Sequence, residues 1–165
     1  MFSVETASAT ETEALAAQLG GLLSPGMVIT LSGELGAGKT VFVRGLARGL
    51  GLSGAVTSPS YVLQHVYRGA RLALYHLDAF RLAGGLAEFE ASGLHEALAD
   101  DQAAVCVEWP ERLGAVQWPP ERIEVQFEHI DPQHRRLVLK AFGPRAEAVL
   151  TAVARSQNSE VRRTE

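Results

Sequence analysis

Three glycines within six residues precede a lysine and a threonine, and this segment constrains the fold more than any other. It fits the pattern G-x-x-x-x-G-K-[ST], with the residues Gly33, Glu34, Leu35, Gly36, Ala37, Gly38, Lys39 and Thr40. Glycine accepts backbone angles that other residues avoid, so successive backbone N–H groups can turn inward and form a concave anion site. Such a loop requires a strand before it and a helix after it.

Both flanks of the loop meet this requirement. Met27 to Leu31 is a short apolar run with a β-branched centre, which is typical of a buried strand. Val41 to Leu50 has apolar residues at helical spacing, and the pattern ends at a glycine. The amides and dipole of a helix that starts here favour an anion. The loop therefore predicts binding of nucleoside triphosphate phosphates, with Lys39 on the β and γ oxygens and the Thr40 hydroxyl on Mg²⁺.

The rest of the chain alternates between helix and strand patterns. Helical spacing recurs from Thr10 to Leu23, where Thr10 and Glu13 match a capping box. Further helices are predicted over Gly85 to Ala99, with a break at Gly93, and from Pro144 onward. Strand patterns run over Tyr61 to Tyr67, Arg71 to Leu77, Ala103 to Val107, Ile123 to Phe127 and Arg136 to Phe142.

This order predicts an α/β fold, namely a three-layer sandwich of the P-loop NTPase type. Its mixed sheet would have a parallel core with antiparallel hairpins added to it. Residues 1–155 are predicted to form a single domain. The polar tail over residues 156–165 is expected to be disordered.

Two acidic residues follow predicted strands and could complete a magnesium site. Asp78 follows the strand that ends at Leu77, and Glu108 follows the entirely apolar strand Ala103 to Val107. Parallel strands place their ligands at their carboxyl ends, and the second strand has the composition of a central one. We therefore expect Glu108 to be the acid on the metal side, and at least one of the two to be functional.

The base of the nucleotide is inferred from the lack of guanine-reading motifs in the sequence. Regulatory GTPases read guanine with N/T-K-x-D, but Lys39 and Lys140 are the only lysines and neither fits that motif. ATP is therefore the expected ligand. Small-molecule kinases usually close an arginine-rich lid over the acceptor. The segment from Asp78 to Gly85 has one arginine, Arg81, and is short for such a lid.

Net charge and apolar content bear on contact with nucleic acid and with membranes. The net charge is −4, which argues mildly against direct contact with tRNA or other nucleic acid. The sequence lacks a signal-peptide pattern and an apolar run long enough for a membrane span, so a cytoplasmic protein without membrane contact is expected. Cys106 is the only cysteine and lies in an apolar run, as a small buried hydrophobic residue would.

Four motifs taken together resemble the TsaE family. They are the loop Gly33 to Thr40, then Thr57-Ser58-Pro59-Ser60-Tyr61, then Tyr75-His76-Leu77-Asp78 followed by Arg81-Leu82, and finally Glu108-Trp109-Pro110. The similarity runs in unbroken order from about Thr12 to Trp109. Three positions depart conservatively from the family pattern, where Glu34 replaces Asp, Ser60 replaces Thr and Phe80 replaces Tyr.

The resemblance implies a small bacterial ATPase that supports the threonylcarbamoyl-adenosine (t6A) modification of tRNA at adenosine 37. Hydrolysis in the family is slow alone and is promoted by the TsaB–TsaD complex, so TsaB-like and TsaD-like partners are implied and tRNA is met only indirectly. The resemblance also implies that Glu108 is on the Mg²⁺ side, that Asp78 helps to position the attacking water or a metal-bound water, and that Thr57 to Tyr61 is a switch-like loop near the γ-phosphate. Two other functions stay open, a nucleotide-responsive binding module and a small-molecule phosphotransferase.

Overall fold

The fold is taken from a computed structural model, which describes residues 1–52, 54, 56–57, 63–82 and 86–161. The strands in these ranges are β1 (Phe2–Thr6), β2 (Val28–Ser32), β3 (Gln64–Tyr67), β4 (Ala73–Asp78), β5 (Ala103–Glu108), β6 (Arg122–His129) and β7 (Arg135–Phe142). The α-helices are α1 (Ala9–Leu22), α2 (Lys39–Gly49), α3 (Leu86–Ala91), α4 (Leu94–Ala99) and α5 (Pro144–Val161), and a 3₁₀ turn covers Pro110–Leu113.

These strands form one mixed sheet in the order β1-β7-β6-β2-β5-β4-β3. The four central strands β4, β5, β2 and β6 run parallel to one another. The outer pairs β3–β4, β6–β7 and β1–β7 are antiparallel. The predicted parallel core with antiparallel hairpins is confirmed, and all six residues of β5 are buried, as expected of a central strand.

Helices cover both faces of the sheet, because the side chains of each central strand alternate between two separate apolar clusters. One cluster joins the sheet to α1, α2 and α5, and Ile29 and Cys106 belong to it. The other joins the sheet to α4 and the 3₁₀ turn, and Val28 and Val105 belong to it. The predicted three-layer sandwich is confirmed. The alternation also places Glu108, two residues beyond Cys106, on the α2 side of the sheet.

The N-terminal part of the chain differs from its prediction. Strand β1 was not predicted, although Phe2 and Val4 alternate with polar residues and pack against the α1-side cluster. The capping box at Thr10 and Glu13 is wrong. Ser8 caps α1 instead, and its Oγ accepts from the Glu11 backbone N–H at 3.1 Å. Both residue pairs fit the same pattern, but Ser8 lies where the backbone is still extended.

The C-terminal helix is longer than predicted. Helix α5 continues through residue 156 to Val161, so the prediction of a disordered tail is wrong over that stretch. Packing accounts for the difference, since Gln157 still reaches α1 and donates to Gln18 Oε1 at 3.0 Å. Neither α5 nor any other helix in the described ranges combines the length and apolar character that crossing a membrane requires.

The orientation of α2 depends on close contact with α1 through glycines. A Cβ built on Gly45 would collide with the Glu13 carbonyl oxygen and would lie 2.5 Å from Ala16 Cβ. A Cβ on Gly49 would collide with the carbonyl of Ala17. Since α2 begins at the glycine-rich loop, this contact also sets the position of the loop against the sheet.

Replacing Gly45 with alanine is expected to lower the free energy of unfolding by about 2 kcal/mol. The added methyl group meets backbone, which a change of rotamer cannot relieve, and overpacking of this kind costs ~1–3 kcal/mol. Urea unfolding followed by circular dichroism measures the loss. Gly21→Ala is the matched control, because the nearest atom to its new Cβ, Gly49 O, is 3.7 Å away. Equal stability of the two variants would contradict the packing argument.

Candidate functional site

The glycine-rich loop lies between the carboxyl end of β2 and the first turn of α2, as its sequence predicts. Gly38 caps α2 with φ of 104°, a left-handed conformation that strains residues with a side chain. Gly33 approaches the neighbouring strand so closely that an added Cβ would lie 2.8 Å from Phe127 Cβ. The loop backbone therefore needs glycine at these two positions.

The Lys39 side chain is held inside the loop that precedes it. The residue is 4 % exposed, and its Nζ donates to the carbonyl oxygens of Gly33 at 2.7 Å and Glu34 at 2.8 Å. Burial lowers the pKa of this amine, and the nearby carboxylates, Glu108 foremost, oppose the shift. Two of its three N–H donors thus hold the ammonium group in place at the mouth of the loop.

The Lys39 ammonium group also lies over an aromatic ring, and the sequence did not predict this contact. Its Nζ is 3.8 Å from the centroid of the Trp109 ring, a cation–π geometry. Trp109 has φ of 60°, the only positive φ of a non-glycine residue in the described part of the chain. Its backbone N–H donates to Leu31 O at 3.0 Å, and the Phe80 ring packs against it at 4.9 Å. The Glu-Trp dipeptide was the available signal, but by itself it suggests only packing.

Thr40 and Glu108 meet directly at the start of α2. Thr40 Oγ1 donates to Glu108 at 3.2 Å from Oε1 and 3.4 Å from Oε2. Glu108 is 3 % exposed, and it is the last residue of β5 rather than the residue after that strand. Glu108 Oε1 also lies 2.8 Å from Nε2 of His76, a fully buried residue of β4. Sheet order explains the meeting with Thr40, since β5 pairs directly with β2.

Asp78 is the last residue of β4 and lies in register with Glu108. Its Oδ1 accepts from the Phe80 backbone N–H at 3.0 Å. The carboxylate is near enough to oppose the fall in the pKa of Lys39, together with Glu108 and Glu111. The two predicted acids are therefore brought to one edge of the sheet, and Glu108 is the one bonded to Thr40.

The donor set suits a hard divalent cation. A hydroxyl and a carboxylate, both oxygen donors, face each other across Thr40 and Glu108 at hydrogen-bonding distance. Mg²⁺ prefers one or two such protein ligands and completes its shell with phosphate and water. These two residues could hold Mg²⁺, and the loop amides from Glu34 to Thr40 could hold the phosphates it bridges.

A cleft of about 540 Å³ opens beside the loop, on the side of α1 and the β6–β7 hairpin. Gly36, Gly38 and Val41 line it on the loop side, and Ser8, Thr12 and Arg135 line it opposite. It continues the loop into a concave space, as ligand sites commonly do.

The predicted switch-like loop of Thr57 to Tyr61 falls, beyond its first residue, outside the described residues. On the exposed side of α2, Arg44 and Arg48 both form ion pairs with Glu13 of α1, at 3.8 Å and 2.7 Å. These pairs join α2 to α1 on a solvated face.

Comparison with known proteins gives one consistent result. Residues 6–138 match the profile of the TsaE family, described as threonylcarbamoyl adenosine biosynthesis protein TsaE. A Bacillus subtilis relative, the tRNA threonylcarbamoyladenosine biosynthesis protein TsaE, is 35% identical over 93% of this chain and 94% of its own. The TsaE protein of Treponema pallidum is 46% identical over 66% of this chain and 78% of its own.

A solved structure agrees with the sequence comparison. The crystal structure of YdiB from Bacillus subtilis superimposes with a TM-score of 0.78 at 31% identity, covering 94% of this chain and 95% of that chain. The fold, the loop motif and the sequence all lead to the same assignment, and the chain belongs to the TsaE family.

Proposed function

We propose that this protein binds ATP with Mg²⁺ and hydrolyses it slowly in support of the t6A modification of tRNA at adenosine 37. In this proposal it acts by binding a TsaB–TsaD complex, and it meets tRNA only through that complex. Family membership supports the pathway, since the TsaE profile covers most of the chain. The site geometry supports the nucleotide chemistry.

The contact of Thr40 with Glu108 is the observation that carries the proposal. This contact joins the first turn of α2 to the end of β5, and both side chains offer oxygen atoms as metal ligands. Glu108 would share Mg²⁺ with Thr40, and Asp78, in register beside it, would orient the attacking water. Mg²⁺ supplies charge neutralisation of the phosphates when it is bound. Lys39 would hold the β and γ oxygens from its position in the loop.

The cleft beside the loop suits the rest of the nucleotide. Gly36, Ala37 and Gly38 of the loop also line the cleft. A nucleoside bound in the cleft could therefore remain covalently linked to phosphates bound by the loop. The lining is more apolar than polar, and Val41 lies on the loop side. Such a surface accepts a flat base, while hydroxyls such as those of Ser8 and Thr12 offer hydrogen bonds.

Slow hydrolysis follows from what the site has to supply. Phosphoryl transfer to water depends on positioning and charge stabilisation more than on covalent chemistry. Within the loop, Lys39 is a positively charged group that could stabilise the phosphates. The two arginines of α2, Arg44 and Arg48, instead form ion pairs with Glu13 of α1. A partner that adds a positioning or charged group would therefore accelerate the reaction.

Phosphate release from ATP tests the proposal, measured with and without purified TsaB-like and TsaD-like proteins. We expect slow release alone and at least a tenfold increase with both partners, because a bound partner would complete charge stabilisation. Release that stays at background with the partners present would overturn the hydrolytic function and favour a nucleotide-responsive binding module. Transfer of labelled phosphate to an acceptor would instead identify a phosphotransferase.

A further inference from the structure

His76 is a buried polar residue for which the proposed nucleotide chemistry has no direct use. Its side chain is 0% exposed within β4, and its Cα is in register with that of Cys106. Because side chains alternate along a strand, His76 and Glu108 lie on the same face of neighbouring strands. The only hydrogen-bond partner of the ring among the described residues is Glu108, at 2.8 Å from Nε2 to Oε1.

The chemistry of this pair assigns the proton. A carboxylate only accepts, so Nε2 of His76 carries the hydrogen that the Glu108 oxygen receives. Nδ1 has no partner among the residues that the structure describes. A buried polar atom without a partner costs about 1–3 kcal/mol, and an apolar residue of similar volume would avoid that cost. Packing alone therefore does not account for a histidine at this position.

Two donors act on the Glu108 carboxylate from different sides of the site. His76 Nε2 is bonded to Oε1, and Thr40 Oγ1 lies within 3.4 Å of both oxygens. A glutamate side chain has three rotatable bonds, so one donor alone leaves the carboxylate plane free to turn. The Tyr67 ring stacks on the His76 ring with 6.4 Å between centroids and 27° between planes. The stacking on Tyr67 restricts the imidazole ring, so its hydrogen bond can fix the orientation of the Glu108 carboxylate.

We propose that His76 is a positioning residue that fixes the Glu108 carboxylate toward Thr40 and so sets the affinity of the site for Mg²⁺. This inference rests on the proposed function, since it assumes that Thr40 and Glu108 hold the metal. His76 itself touches neither metal nor nucleotide. Hydrogen bonds to a metal ligand of this kind typically change metal affinity by about 10–100-fold.

Calorimetric titration with ADP, in excess Mg²⁺ and in EDTA, separates this role from a structural one. The ratio of the two dissociation constants gives the gain in ADP affinity that Mg²⁺ provides, called here the Mg²⁺-dependent gain. The variants are His76→Gln, whose amide N–H can take the place of Nε2, and His76→Asn, whose shorter amide cannot reach Glu108. Tyr75→Phe is the control, because it removes a hydrogen bond to Asp100 from the other face of the same strand.

We expect His76→Asn to reduce the Mg²⁺-dependent gain by about tenfold while the affinity in EDTA stays within about twofold of wild type. His76→Gln should restore most of the gain, and Tyr75→Phe should leave it unchanged. Should His76→Asn not fold, His76→Leu takes its place, with the same expected loss. Equal gains in the variant that donates to Glu108 and the variant that cannot would overturn the positioning role.

The wild-type titration distinguishes the failure of this inference from that of the proposed function. Wild-type protein that does not bind ADP, or binds it equally with and without Mg²⁺, would overturn the proposed metal site and the inference together. A clear wild-type gain that both His76 variants retain would overturn only the role of His76. Direct titration with Mn²⁺, read by electron paramagnetic resonance, gives a second measure of metal affinity without any hydrolysis.

Discussion

Replacing Lys39 with alanine is expected to weaken ATP binding by about 100-fold. The lysine has one N–H donor left beside the two that bind loop carbonyls, and a charge-assisted hydrogen bond from it, shared between the β and γ phosphate oxygens, would contribute about 1.5–3 kcal/mol. Its Nζ is already held at the loop by the carbonyls of Gly33 and Glu34, so little ordering opposes the gain. Calorimetric titration with ATP and Mg²⁺ measures the change.

Lys140 provides the matched control for this substitution. It is the only other lysine of the chain, and it lies exposed on β7, across from Glu124 of β6. Lys140→Ala removes the same charge from the protein but should leave ATP affinity within about twofold of wild type, since this exposed charge is screened by solvent. ATP affinity at the wild-type level in the Lys39 variant would contradict the assignment of the glycine-rich loop as the phosphate-binding site.

Replacing Glu108 with glutamine is expected to lower partner-stimulated phosphate release by about 100-fold while nucleotide binding is kept. The neutral amide is a weaker ligand for Mg²⁺, and a bound metal ion stabilises the transition state by about several kcal/mol, so weaker metal binding would lose part of that stabilisation. The amide oxygen can still accept from His76 Nε2, so the buried contact and the fold should survive. The readouts are phosphate release with the partner complex and ADP affinity in EDTA.

Glu128→Gln serves as the control for the Glu108 variant. Glu128 lies near the carboxyl end of β6, the other neighbour of β2, but it is exposed and paired with Arg136 at 3.6 Å. Its loss should leave phosphate release unchanged, because solvent-exposed ion pairs contribute little. A Glu108 variant that turns over at the wild-type rate would transfer the metal-side role to Asp78, and Asp78→Asn would then show the loss.

Most of the fold could be predicted because its elements carry local signals. Val28 to Leu31 is apolar apart from Thr30 and rich in β-branched residues, and α2 has apolar residues at helical spacing, so both were recognisable. The break at Gly93 also matches, with a left-handed residue between α3 and α4. Strand β1 was missed because five residues with weak alternation form a strand only when β7 is available to pair with them. The last turns of α5 were missed because they are polar and are held by contact with α1.

The site was predictable to the level of its residues but not of its contacts. The loop glycines, Lys39 and Thr40 follow one another in sequence, and the spacing alone identifies them. The choice between Asp78 and Glu108 rested on strand composition, which agrees with the contact between Thr40 and Glu108. The Trp109 ring beneath Lys39 carried no comparable signal, since its position depends on a left-handed backbone beyond β5.

The sequence by itself determined that a glycine-rich loop joins a buried strand to a helix, because the motif and its flanks are contiguous and their geometry is local. Only the tertiary structure decided which carboxylate reaches Thr40, because strand order places β5, and not β4, beside β2. It also decided that His76 bonds Glu108, since two residues 32 positions apart meet only through strand register. Contacts of that kind depend on how the sheet assembles, and no spacing in the chain encodes them.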